Sequence, residues 1–149
     1  MPVPTFVWGV NHADEIYMID IDAIGNVYTG GNDITATGHV TTRKYNPTGT
    51  LLWSVDHGGV GFTLAVDITG NVYTGGECDT GTGNKSLRKY NTAGGLLWSV
   101  GELNYSVLGV VVDASGNVYA VGNENSAYYT TYKYNSAGAV QWRVKHGMT

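Results

Sequence analysis

The sequence is poor in cysteine, in charge and in long apolar runs. Its single cysteine, Cys78, cannot form a disulfide within the chain, which fits a reducing compartment. Only 13% of the 149 residues are charged, and the formal net charge is -4. The chain therefore lacks the Lys- and Arg-rich surface that nucleic-acid phosphates require. No apolar run approaches the roughly 20 residues of a membrane-spanning helix, so neither nucleic acid nor membrane is a predicted partner.

The first ten residues, MPVPTFVWGV, also lack features that would direct export. They contain no basic region followed by a long apolar stretch, which is the pattern of a signal peptide. With neither a signal peptide nor a transmembrane segment, a cytoplasmic location is the default expectation.

What the sequence has in abundance is glycine, with 22 residues, and tyrosine, with 11. Threonine and valine are also frequent, and Gly and Asn interrupt the chain at short intervals. This composition is typical of many short β-strands joined by tight turns.

Three short motifs recur along the chain every 44 to 46 residues. This spacing is typical of one four-stranded blade of a β-propeller, which takes about 40–50 residues. Asp-x-x-Gly-Asn and Asn-x-x-Gly segments mark the tight turns between the first and second strands (A–B) and between the third and fourth (C–D), because Asp and Asn bond their own backbone and Gly accepts a positive φ. The motifs are Gly-Asn-Val-Tyr from Gly25, Gly70 and Gly116, Lys-Tyr-Asn from Lys44, Lys89 and Lys133, and the tryptophans Trp8, Trp53, Trp98 and Trp142.

At these residues the chain resembles the bacterial β-propeller repeat often called the SBBP repeat. The shared order is Val-Asp-x-x-Gly-Asn-Val-Tyr-x-x-Gly, a variable stretch, and Lys-Tyr-Asn-x-x-Gly-x-x-x-Trp. The closing Gly-x-x-x-Trp is also similar to the tryptophan-docking element of quinoprotein propellers. We therefore interpret the four tryptophans as packing residues between blades, because a repeated large aromatic fills the same gap in every repeat.

We predict an all-β chain forming one propeller half-ring over residues 1–149, with blades at about 16–57, 62–102 and 107–146. Propellers usually have 4–8 blades, so three blades cannot close a ring alone. A homodimer would form one six-bladed ring, and this is the predicted assembly. A fragment of a longer propeller is the alternative.

An extra strand is predicted at residues 5–11, ahead of the first blade. It and the last strand both have the sequence of a fourth, outer strand, and both cannot occupy one position in a closed ring. The last strand follows its neighbour through a tight turn, so its loop-closure cost is small, and we favour it for that position.

The connections between the second and third strands differ from blade to blade, whereas the tight turns hardly change. Binding residues lie disproportionately on such variable loops, so we expect any ligand site on this face. Aromatic, amide and carboxylate groups there would suit a small polar ligand such as a glycan. The predicted ligand-binding residues are Asp33, His39, His57, Glu77, Asp79, Glu102, Tyr105, Glu124, Asn125 and Tyr128.

A metal site and a catalytic site are both disfavoured by the sequence. His12, His57, Glu102 and His146 lie at equivalent positions, four residues after each tryptophan. Such positions on adjacent blades are too far apart to share one ion, whose ligands lie roughly 2.0–2.2 Å away. Asp20 is a lone carboxylate, replaced by other residues in the later repeats. We predict a non-enzymatic module without a cofactor; the alternative is a quinoprotein- or lyase-like enzyme.

Overall fold

The computed structural model describes residues 7–10, 15–32, 39–77, 86–101, 105–124 and 128–147. Within these ranges the chain forms twelve β-strands and no helix. Consequently no helix in the described part of the chain is long and apolar enough to cross a membrane.

The strands form three separate four-stranded sheets, each a simple antiparallel meander in chain order. We call the sheets blades 1, 2 and 3. Blade 1 consists of β1 (Glu15–Ile21), β2 (Val27–Asn32), β3 (His39–Tyr45) and β4 (Leu51–Gly58). Blade 2 consists of β5 (Gly61–Val66), β6 (Val72–Gly76), β7 (Leu87–Tyr90) and β8 (Leu96–Val100). Blade 3 consists of β9 (Tyr105–Val112), β10 (Val118–Glu124), β11 (Tyr128–Tyr134) and β12 (Val140–Gly147).

The A–B turn of each blade is held by the side chain of its aspartate. In blade 1, Asp22 Oδ1 accepts a hydrogen bond from the backbone N–H of Asn26 at 2.9 Å, and Asp22 Oδ2 accepts one from the Asn26 side chain at 2.7 Å. Gly25 has a φ of 83°, which only glycine adopts without strain. The same bonds form at the equivalent aspartates of the other blades.

The core lies between the blades rather than within any one of them. Tyr28 of blade 1 packs with Val72 and Tyr90 of blade 2, and all three are essentially buried. A larger cluster joins blade 2 to blade 3 around Tyr73 and Val118. In blades 1 and 2, the two innermost strands contact the first strand of the following blade. A blade therefore needs a neighbour on each side to bury both of its faces.

The predicted fold class is confirmed: the described chain is all-β, with three four-stranded antiparallel blades. The sheets span residues 15–58, 61–100 and 105–147. Of the extra strand predicted at 5–11, residues 7–10 are described, and they belong to no strand. An outer strand needs a third strand beside it, and within the described residues none lies beside residues 7–10.

Candidate functional site

The tryptophans of the fourth strands in blades 1 and 2 each dock on the C–D turn of the following blade. Trp53 Nε1 donates a hydrogen bond to the Thr92 carbonyl at 2.9 Å, and its ring lies so close to Gly94 that an added Cβ would be 3.1 Å away. Trp98 repeats the arrangement on blade 3, donating to the Ser136 carbonyl at 3.1 Å. We call each combination of turn carbonyl and glycine a docking socket.

The first socket is occupied by a residue outside the three blades. Trp8 Nε1 donates to the Pro47 carbonyl at 3.0 Å, and a Cβ on Gly49 would lie 2.8 Å from its ring. The Trp8 ring also lies 6.2 Å from that of Tyr45, centroid to centroid. Trp8 therefore lies where the tryptophan of a preceding blade would dock.

Trp142 is in a different situation from the other three tryptophans. Its ring lies 6.2 Å from that of Tyr119 in its own blade, as Trp53 lies beside Tyr28. None of the described blades packs against it from the far side, and 43% of its surface is exposed. The four predicted packing residues thus comprise three docked indoles and one on an open face.

The repeated lysines take part in the same contacts between blades, as the recurrence of Lys-Tyr-Asn suggested for packing residues. Lys44 Nζ lies 4.9 Å above the centre of the Tyr28 ring and donates to the Thr92 carbonyl at 3.4 Å. Lys89 does the same with Tyr73 and the Ser136 carbonyl. Each socket carbonyl between blades thus accepts from both an indole and an ammonium group.

The turn aspartates and their tyrosines form a polar layer beside the sockets. Burial raises the pKa of Tyr73 well above its ordinary value, as does its hydrogen bond to Asp67, so the hydroxyl stays a donor. Burial alone would raise the pKa of Asp67, but hydrogen bonds from Thr69, Asn71 and Tyr73 outweigh it and lower the pKa. The Asp67 carboxylate and its equivalents therefore serve to hold the A–B turns.

Further polar bonds join the first strands of adjacent blades. Asp20 Oδ2 accepts from the Val66 backbone N–H at 2.8 Å, and Thr63 Oγ1 accepts from that of Val110 at 3.1 Å. Asp20, the lone carboxylate of the sequence, is therefore an interblade acceptor. Its replacement in the other blades left no repeated pattern from which this role could be predicted.

The outer face of blade 3 is apolar and uncovered. On β9, Val110 and Val112 pack toward blade 2, so Val111 points the other way and is 62% exposed. It shares this face with an apolar groove lined by Gly109, Tyr119 and Val121. Val144 and Trp142 extend the same face toward the outer strand, and both are exposed.

Blade 1 has a matching uncovered face at the other end of the chain. Met18 and Asp20 on β1 point toward blade 2, so Ile19 and Ile21 point away from it. These two isoleucines are 71% and 62% exposed. Their equivalents in blade 2, Leu64 and Val66, pack against the preceding blade.

The predicted ligand-binding residues are only partly brought together. Glu124 and Tyr128 lie directly opposite each other on β10 and β11. Lys145 connects them: its Nζ lies 2.5 Å from Glu124 Oε1 and 5.6 Å from the centre of the Tyr128 ring. The Lys145 hydrogen bond lowers the pKa of Glu124.

His57 lies on a different blade and is used in packing. Its ring stacks on that of Tyr90 at 6.0 Å with 20° between the planes, across the interface of blades 1 and 2. Burial raises the pKa of Tyr90 to about 12. Glu77 is exposed at the end of β6. Asp33, Asp79, Glu102 and Asn125 lie outside the described residues, as do the side chains of His39 and Tyr105.

In the described part of the chain, no three His, Cys, Asp or Glu side chains lie close enough together to hold a metal ion. Of the four equivalent positions considered as ligands, His12 and Glu102 lie outside the described residues.

Comparison with known proteins places this arrangement among β-propellers. No protein-family model matches the chain, and no curated protein matches it. A protein of unknown function from Bacteroides caccae is similar over 86% of this chain and 48% of its own, with 19% identity and a TM-score of 0.57. A quinoprotein alcohol dehydrogenase-like protein from Bacteroides thetaiotaomicron matches over 87% of this chain and 33% of its own, with 17% identity and a TM-score of 0.64.

The structure of the Dos1 propeller is a third match, at 10% identity and a TM-score of 0.62, covering 89% of this chain and 37% of that one. At these identities the likeness shows the fold alone, which is that of three propeller blades. The chain spans about half or less of each of these proteins. The SBBP resemblance stays a prediction, since no family model matches.

Proposed function

We propose that this chain is a self-assembling, non-enzymatic half-propeller, two copies of which close one six-bladed ring. The observation that carries the proposal is the equivalence between the open faces and the internal interfaces. Within the chain, Trp53 and its blade-1 neighbours meet Leu64 and Val66 of blade 2. At the ends, Trp142 and Val144 correspond to the first set, and Ile19 and Ile21 to the second.

Two-fold symmetry allows both ends to be covered at once. Successive blades of a six-bladed ring are rotated by about 60°, so three blades span half the circle. Blade 3 of each copy then meets blade 1 of the other, and the two new interfaces are identical. A second copy is favoured as the occupant because its blade 1 offers the same side chains that blade 2 already offers inside the chain.

The solution mass tests this assembly. We expect twice the 15.9 kDa of one chain in sedimentation equilibrium at micromolar concentration. Ile19→Lys or Val144→Lys would place a charge at the new interface and should yield the monomer. Ile68→Lys is the matched control, because Ile68 is 77% exposed on an A–B turn, away from both faces. A monomeric or trimeric wild-type protein would contradict the proposal, and the open faces would then belong to contacts with other blades.

The ring would present a ligand site on the face that carries the variable loops, and the ligand class we propose is a glycan. The support is the edge of blade 3, where Tyr128 and Tyr129 are 44% and 48% exposed beside the Glu124–Lys145 pair. Exposed aromatic faces stack on sugar rings, and the charged groups can bond their hydroxyls.

A glycan array with the wild-type protein, followed by titration of any hit against Tyr128→Ala, tests this part. We expect the substitution to weaken binding while the dimer mass is retained. If no glycan on the array binds, the ligand proposal is wrong and the assembly proposal is unaffected.

A further inference from the structure

The socket on blade 1 is a binding site for an indole, and Trp8 of the same chain already fills it. Its hydrogen bond to the Pro47 carbonyl and its contact with Gly49 repeat the docking of Trp53 on Thr92 and Gly94. The two indoles differ in origin, and the Thr92 carbonyl also accepts from Lys44. Trp53 comes from a strand paired into its own blade, whereas Trp8 comes from a segment with no strand pairing in its described part.

In the proposed ring, this socket faces blade 3 of the second copy. By the geometry of the internal interfaces, Trp142 of that copy would dock on the Pro47 carbonyl and Gly49. The space above Gly49 is already closed by the Trp8 ring, at 2.8 Å from where a Cβ would lie. Two indoles cannot share one socket, so ring closure requires one of them to leave.

The strand that carries Trp142 is the more firmly held of the two. β12 pairs with β11 from Val140 to Gly147, and Lys145 adds the ion pair with Glu124. Among the described residues, Trp8 is held by one indole hydrogen bond and by ring contacts, and its neighbours Val7 and Val10 are 81% and 44% exposed. Displacing Trp8 therefore disrupts fewer interactions than displacing β12.

We propose that Trp8 is an intramolecular plug: it protects the blade-1 socket of the free chain and must leave before Trp142 of a second copy can dock. This inference rests on the proposed self-assembly. The plug makes assembly dependent on a local opening, because only chains with an empty socket are competent to associate. The apparent dissociation constant of the dimer is then the intrinsic constant divided by the fraction of chains with an empty socket. This division applies twice, because the ring contains two such sockets.

The test compares four full-length proteins by sedimentation equilibrium: wild type, Trp8→Ala, Trp142→Ala and the double variant. If Trp8 fills about two thirds of the sockets, about one third of the chains are competent, and both chains of a dimer must be. Trp8→Ala removes this requirement and should lower the dimer dissociation constant about tenfold. Trp142→Ala should raise it. In the Trp142→Ala background, removing Trp8 should bring no gain, because no indole remains to use the empty socket.

Removal of residues 2–11 provides a second variant with the same expected gain, and far-UV circular dichroism checks that each variant is folded. In wild type labelled with ¹⁵N at the indoles, the Trp8 signal should be that of a bonded indole in the monomer and of a free indole in the dimer.

Weaker association of Trp8→Ala and of the truncated chain would overturn the plug and identify Trp8 as a clasp, while leaving self-assembly intact. An unchanged dissociation constant would also overturn the plug. If all the variants stay monomeric at the highest concentration, the proposed function itself fails, and the plug fails with it.

Discussion

Blades 2 and 3 have nearly the same local structure but very different surroundings. Asp67 and Asp113 accept equivalent hydrogen bonds from Asn71 and Asn117 in their A–B turns. Yet Tyr73 is completely buried while Tyr119 is only half-buried. Local turn chemistry thus depends on a blade's own residues, whereas burial of its aromatic face depends on the next blade. Blade 2 has a neighbouring blade against each of its faces, whereas the face of blade 3 that carries Tyr119 is uncovered in this structure.

The largest effect that this comparison predicts is at the tryptophans. Trp98→Ala removes a half-buried indole docked on blade 3 and should lower the free energy of unfolding by up to about 3 kcal/mol, the lower end of the range for buried aromatics. Trp142→Ala should cost much less under conditions where the protein is monomeric, because that indole has no following blade. Urea denaturation of both variants measures the difference. Equal losses would mean that docking between blades contributes little beyond contacts within a blade.

The next largest effect concerns the turn carboxylates. Asp67→Asn places an amide group where Asn71 and Tyr73 both donate to Asp67 Oδ2. Leaving a buried donor unpaired costs about 1–3 kcal/mol. Asp113→Asn, on the less covered blade 3, should cost less. If the two variants unfold at the same urea concentration, the neighbouring blade does not strengthen the turn.

The same aspartate makes stability depend on pH. Hydrogen bonds hold the pKa of Asp67 below its ordinary 3.8 in the folded protein. Its stabilising contribution is therefore complete above the unfolded pKa and is lost as the pH falls through the folded value. Wild type should lose stability below about pH 4, and Asp67→Asn should lose less over that range. Thermal melts across this pH range provide the measurement; parallel curves for the two proteins would exclude the role.

A smaller effect is expected at the socket glycines. Gly94 has a φ of 83°, so Gly94→Ala places an L side chain in a left-handed conformation, at a cost of roughly 1–2 kcal/mol. The added Cβ would also press on the Trp53 ring. Gly147→Ala, where nothing lies within 4 Å, is the control and should be near neutral. If Gly94→Ala leaves the free energy of unfolding unchanged, docking does not require the close contact between the Trp53 ring and Gly94.

The smallest effect belongs to the exposed edge of blade 3. Glu124→Gln breaks the ion pair with Lys145, whose side chain is 36% exposed. Such pairs contribute about 0.2–1 kcal/mol, and salt screens them. Denaturation at low and high salt should show a small loss that shrinks with salt. A loss comparable to that of Trp98→Ala would reverse the ranking of core over edge.

Strand content and tight turns were predictable because they depend on neighbours in the chain. Asp22, Gly25 and Asn26 lie within five residues and hold one another in the turn. The docking role of the tryptophans was predictable from their recurrence. The interblade hydrogen bond of Asp20 was not, since it joins residues 46 positions apart and its acceptor side chain occurs in only one blade. The ligand-binding residues were predicted from the variability of the loops. Variability indicates which face can carry a site, but not which side chains come together there.

The sequence by itself determined that the chain is β-structured and repeats a blade-length unit, because turn residues and strand periodicity act over a few neighbouring positions. Only the tertiary structure decided which indole fills which socket. The pattern presents Trp8, Trp53, Trp98 and Trp142 as equivalents, but docking needs a turn from another blade. Trp8, Trp53 and Trp98 find one within the chain, and Trp142 remains 43% exposed. That difference is a matter of which surfaces meet in space, so no local rule could supply it.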